Sequence, residues 1–148
     1  MRERIKEEGL IRLMSSQDAI LIHTYFKCFN AGDQAGMLAC LADDVSHDVN
    51  EGGRRRGLAQ FASFLQHMDR CYKEQLKDIV IMTGSVPGRV SAEYVVHGTY
   101  LATDEGLPPA KGQTYVLPAG SFFEIANGKI TRVTTYYNLQ NWIKQVSA

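Results

Sequence analysis

The sequence predicts an α+β fold. Helical periodicity fills its first half, strand periodicity fills its second, and 148 residues suffice for one core. Residues 1–14 are charged, with some helical character from Leu10, Ile11, Leu13 and Met14, and read as an N-terminal extension ahead of a single domain over 15–148. Ser15 and Asp18 have the form of a capping box. Ile22, Tyr25, Phe26 and Phe29 then recur at i, i+3, i+4 and i+7, so a first helix should start at Ser15 and end at Gly32. Asp33 can cap a second helix bearing Met37, Leu38 and Leu41. The Asp43-Asp44 pair breaks that pattern, and a short strand is expected near Val45. Phe61, Phe64, Leu65 and Met68 mark a third helix. Beyond it the period changes to two, giving strands over 74–83, 89–102, 113–126 and 129–138. Asn127-Gly128 suits a two-residue hairpin turn, while the Pro- and Gly-rich run 103–112 is a loop. The expected architecture is three N-terminal helices wrapped by a strongly curved, mostly antiparallel sheet.

Composition narrows function by exclusion. Sixteen basic against sixteen acidic residues leave no net charge, which argues against nucleic acid and anionic membranes as partners. No apolar run approaches a membrane span, and the mixed-charge start does not read as a signal peptide, so a cytoplasmic location is expected. Cys28, Cys40 and Cys71 are odd in number and lack CxxC spacing, and read as reduced, buried hydrophobes. His23, His47, His67 and His97 show no short ligand spacing, so no metal site is expected. Neither GxGxxG nor GxSxG occurs, which leaves chemistry without a cofactor. Arg54-Arg55-Arg56, between glycines, reads as a solvated loop.

The stretch Tyr25-Phe26-Lys27-Cys28-Phe29-Asn30-Ala31-Gly32-Asp33, then Leu41-Ala42-Asp43-Asp44-Val45, resembles the opening of ketosteroid isomerase and the SnoaL-like polyketide cyclases of the NTF2-like superfamily. The likeness continues through Gly57-Leu58, the 108–112 loop, Phe122-Phe123-Glu124-Ile125 and Gly128-Lys129-Ile130 to Tyr136-Tyr137-Asn138. It implies an NTF2-like cone whose curved sheet leaves an apolar pocket open at one end, in a homodimer. Counted without gaps from Gly32-Asp33, the isomerase tyrosine falls on Tyr25 and its carboxylate base on Val49; counted back from Gly128, its neutral acid falls on Gly120. Two of three parts are therefore replaced.

Other residues can fill those roles. On the strand through Val49, His47 and Glu51 share the face of the vacant base, and a single β-bulge would bring Asp48 there instead. An imidazole suits proton transfer at neutral pH, although a histidine beside an aspartate on a short strand also serves as a hydrogen-bonded surface residue. His97 shares a mixed face with Glu93, pocket-lining or exterior. Glu124, on the face of Gly120 and Phe122, can replace the missing acid or simply end a strand. Tyr115, Tyr136, Tyr137 and Trp142 suit a flat polycyclic or phenolic ligand, or a packed core. The expected function is a pocket for a small apolar molecule, with isomerase, cyclase or dehydratase chemistry in which His47 or Asp48 moves a proton and Tyr25 donates to an enolate. A non-catalytic ligand-binding or protein-interaction module is the alternative.

Overall fold

The computed structural model describes residues 1–147 apart from the Ile11 side chain, so the reading of Ile11 lies outside it. The elements run α1 (Arg2–Ala31), α2 (Gln34–Ala39), β1 (Leu41–Val49), β2 (Arg55–Arg56), α3 (Leu58–Cys71), β3 (Tyr72–Thr83), β4 (Arg89–Tyr100), β5 (Thr114–Ala126), β6 (Lys129–Tyr137) and α4 (Leu139–Val146). The α+β expectation holds. One sheet of order β2-β1-β6-β5-β4-β3 is antiparallel throughout except for the β1–β6 pair.

Several local signals act as anticipated. Gly32 closes α1 in the left-handed region at φ 70°, where a side chain would be strained, and Asp33 caps α2 by accepting from the Gly36 N–H. Asn127 and Gly128 both adopt positive φ in the β5–β6 hairpin.

Four local expectations are corrected. Helix α1 does not start at Ser15. Strong helix formers carry it back to Arg2, and Asp18, instead of closing a capping box, accepts a hydrogen bond from the Gly88 N–H. Strand β1 begins at Leu41, which is buried opposite Ile130, and the acidic pair sits exposed on an irregular stretch of that strand. The arginine run contributes β2, pairing Arg56 with Ser46 and Arg55 with His47. A fourth helix, α4, follows the sheet. Leu139, Trp142, Ile143 and Val146 have helical spacing, and the Asn138 side chain caps the start through the Asn141 N–H.

The inner sheet face and α1 share the core, where Phe26 meets Tyr94 and Phe123 edge-on at 5.3 and 5.8 Å. Helix α3 packs on β1 and β2 at one sheet edge and runs without a break into β3 at the other, Tyr72 following Cys71 directly. One 14-residue helix thus links the two ends of the curved sheet across its inner face. At the β3 edge the Asn30 side chain donates to the Leu76 carbonyl at 2.9 Å and accepts from its N–H at 2.8 Å, standing in for a neighbouring strand.

Gly98 ties the fold to what lies inside the cone. It pairs with Glu74 on one side and Tyr115 on the other, and the phenol of Tyr115 lies across it to reach Glu74. A Cβ at position 98 would collide with the Tyr115 ring. Gly98→Ala should therefore destabilise the protein by about 1–3 kcal/mol, measured by urea denaturation. It should also change the emission of Trp142, whose ring is 6.0 Å from that of Tyr115.

Candidate functional site

The cone encloses a cavity of about 320 Å³ between α1, α3 and the inner sheet face. Its walls are mostly apolar. Tyr25, Phe26 and Phe29 come from α1, Phe61, Phe64 and Leu65 from α3, and Leu76, Val96, Leu117 and Val133 from the sheet.

His47 reaches the cavity by ordinary strand alternation: it shares a face of β1 with buried Val45 and with Val49, which also lines the cavity. The imidazole is 4% exposed, lies 4.4 Å from the Phe61 ring and 4.6 Å from that of Phe64, and its Nδ1 has no hydrogen-bond partner. Burial, reinforced by the positive Arg55, holds it down at about 4, so it is neutral at physiological pH. Arg55 is its cross-strand partner, and it too lines the cavity. The guanidinium lies 4.9 Å from the centre of the Phe64 ring, and its Nη1 is buried without a partner.

Across the cone the Tyr115 hydroxyl donates to Glu74 Oε2 at 2.7 Å. Burial pushes the Glu74 carboxyl up, against the pull of that donated bond, and burial likewise raises the Tyr115 phenol. Deeper in, Tyr94, Ser121 and Thr135 form a hydroxyl chain with links of 2.7 and 2.8 Å. Tyr25 lines the cavity edge-on to Phe26 and Phe123. Burial raises its phenol, and its hydroxyl makes no hydrogen bond among the described residues.

Asp104, from the 103–112 loop, accepts from the Tyr72 hydroxyl at 2.7 Å and faces His67 Nε2 at 2.9 Å, while Arg70 lies 3.0 Å from His67 Nδ1. With Arg70 donating to Nδ1, Nε2 carries the hydrogen that Asp104 accepts. These ligand atoms and Cys71 Sγ lie within 4.8 Å of one another. The carboxylate and both imidazole nitrogens are thus committed to partners within the chain, so hydrogen bonding already accounts for the cluster.

The sequence-derived residues divide. His47, Tyr25 and Tyr115 converge on the cavity; Asp48, Glu51, His97, Phe122, Glu124 and Tyr136 do not line it. Asp48 faces away from His47. Two bonds from Arg54, at 2.8 and 2.9 Å, and one from Thr134, at 2.7 Å, hold its carboxyl down at about 2. Glu51 is exposed in the turn after β1. His97 lies on the outer face of β4, whose inner face is Ala92, Tyr94, Val96, Gly98 and Tyr100. Strand β5 alternates without a break, with Tyr115, Leu117, Ser121 and Phe123 buried on the inner face, so Phe122 and Glu124 point out and the gapless count to Gly120 is one residue out of step. Glu124 pairs there with Arg89 and Arg132, and Phe122 packs on Tyr136. Sequence reasoning missed Arg55, Glu74, Tyr72 and Asp104. The usable signal was Gly98 inside a strand, a mark of close approach by another group.

Comparison with known proteins places this geometry in a wider set. Residues 22–133 match the SnoaL-like domain family. A crystal structure from Silicibacter, of a protein provisionally assigned as a polyketide cyclase, is 62% identical over 86% of this chain and 93% of its own, with a TM-score of 0.85. One from Xanthomonas campestris, assigned in the same way, is 57% identical over 90% of this chain and 98% of its own, with a TM-score of 0.86. An NTF2-like protein from Burkholderia xenovorans, 17% identical over 88% of this chain and 96% of its own, shares the fold at a TM-score of 0.70. No curated protein matches the chain.

The depressed imidazole has a consequence for stability. An unfolded histidine binds a proton below about 6.5, whereas folded His47 resists protonation down to about 4, so stability is lost as pH falls through that window. From pH 7 to 5 the loss assigned to this residue is on the order of 2 kcal/mol. Chemical denaturation at both pH values should show a smaller loss in His47→Gln than in the unmodified protein.

Proposed function

The chain belongs to the SnoaL-like domain family, and from that premise we propose that it is an isomerase, cyclase or dehydratase of small, flat, apolar carbonyl compounds, working by proton transfer between its own side chains and the substrate. One observation carries this reading. Burial pushes His47 down and Glu74 up on opposite sides of a single apolar cavity, so a neutral base and a carboxyl inclined to keep its proton face the same space. In water a glutamate is more acidic than a histidinium; the cavity narrows or inverts that order.

His47 Nδ1, free of any partner, removes a proton from the carbon beside a carbonyl. The Glu74 carboxyl gives its proton to the carbonyl oxygen, and the product is a neutral enol. Tyr115 holds the carboxyl in place, and Tyr25, kept protonated by burial, donates to the same oxygen. Returning the proton at another carbon isomerises the substrate. Attack of the enol carbon on a second carbonyl closes a ring, and departure of a protonated hydroxyl dehydrates it. The apolar walls strengthen each of these hydrogen bonds by excluding water.

Two further properties belong to the same reading. We infer a homodimer through the outer sheet face, where Phe122 and Tyr136, 48% and 52% exposed, pack on each other. A cytoplasmic location is supported by Cys28, Cys40 and Cys71, all of which are free thiols.

The catalytic test is deuterium uptake by 2-tetralone next to its carbonyl, followed by proton NMR. The protein should accelerate exchange over buffer. His47→Ala and Glu74→Gln should each slow it by about 100-fold or more, and Tyr25→Phe by less. The rate should rise with pH through about 4, as His47 becomes neutral, and fall as Glu74 loses its proton. Exchange no faster than buffer, or undiminished in both variants, overturns the reading. For assembly, light scattering should give a dimer mass, and the double variant Phe122→Glu/Tyr136→Glu a monomer.

A further inference from the structure

Within the arginine run, two members are accounted for. Arg54 is bound by Asp48 on the outer face, and the Arg56 backbone N–H donates to the Gln60 side chain on α3. Arg55 stands apart. Strand alternation and its pairing with His47 turn it to the inner side, and it forms no ion pair among the described residues.

A buried guanidinium nitrogen without an acceptor is costly, and the cost is removed when an anion arrives. Phe64 fixes the group in place but supplies no lone pair. The aspartate next to His47 cannot help, because it is turned outward and already doubly bonded to Arg54. The second unpartnered atom, His47 Nδ1, comes from the paired position on the adjacent strand, in a side chain that lines the same cavity. The β1–β2 end of an apolar cavity therefore presents one fixed cation and one free imidazole nitrogen.

We propose that Arg55 is an anion anchor and that the substrate is an apolar ring compound bearing an acidic oxygen, a carboxylate or an ionised enol, which Arg55 holds beside His47. This deepens the proton-transfer reading of the same cavity and rests on it. Arg55 grips the acidic oxygen, so the carbon near that oxygen lies within reach of His47 Nδ1. Specificity follows, because a neutral analogue leaves the guanidinium unpaired.

The probes are 2-naphthoate and its neutral counterpart 2-naphthamide, titrated calorimetrically into the full-length protein at pH 7. The acid should bind at least about tenfold more tightly than the amide. Arg55→Met should abolish that preference, and Arg55→Lys, which keeps the charge without the planar fork, should retain part of it. An amide that binds as tightly as the acid to the unmodified protein overturns the proposal. So does an acid that fails to bind at millimolar concentration, or a preference that survives Arg55→Met. The comparison of the two probes on the unmodified protein keeps the proposal testable even if a variant fails to fold. Exchange of 2-tetralone without acid preference would remove the Arg55 role alone; acid preference without exchange would remove the proton-transfer reading and leave an anion-binding pocket.

Discussion

Everything inside this protein depends on one helix bridging the two ends of one sheet. Helix α3 packs against β1 and β2 at one extreme and continues directly into β3 at the other, and the six strands curve around the space beneath it. The resulting curvature holds the inner face away from α1 over part of its length. A void in a protein interior forfeits dispersion contacts, and the surrounding structure must make up for them. The dense aromatic packing around the hollow does so. Tyr72 stacks on Tyr100 at 5.4 Å with their planes 13° apart, and Trp142 meets Tyr100 edge-on at 5.0 Å. The late helix α4 thus supplies part of the wall that the sheet alone leaves open.

The polar groups in that hollow are set by strand registry, with little need of loops. His47 and Arg55 are cross-strand neighbours, as are Glu74 and Gly98, Gly98 and Tyr115, and Ser121 and Thr135. Side chains mounted on paired strands have fixed separations, which is the precision proton transfer demands. By contrast, the Asp104 network gathers a loop residue, a helix residue and a strand residue at one point. It anchors the loop to the body.

The fold was legible because its elements carry strong periods. The run Phe61, Phe64, Leu65, Met68 and the alternation through Tyr94, Val96 and Tyr100 each admit one reading. The site was less so, for a physical reason. Which face a strand residue occupies changes with one extra residue, so a count carried along the chain without gaps goes wrong by a whole face when it slips by one. Counting by twos therefore placed His47 inside but also placed Phe122 and Glu124 there, one residue out of step with Phe123. Arg55 was hidden differently. Within a charge run flanked by glycines, nothing local distinguishes the side chain that a two-residue strand turns inward. Glu74 lay at the start of a strand candidate, and its importance came from Tyr115, more than forty positions away.

The Asn30 amide on the rim of the sheet reaches beyond this molecule. Strand β3 is the last in its row, and its unpaired backbone could recruit the strands of other chains. By occupying both the N–H and the carbonyl of Leu76, Asn30 takes up the docking register at its centre, and the kink at Asp78, with φ 54°, twists the remainder out of line. Lys73 and Lys77 add repulsion between like edges. The sheet thereby carries an open edge without presenting a straight, unoccupied template for fibrous aggregation.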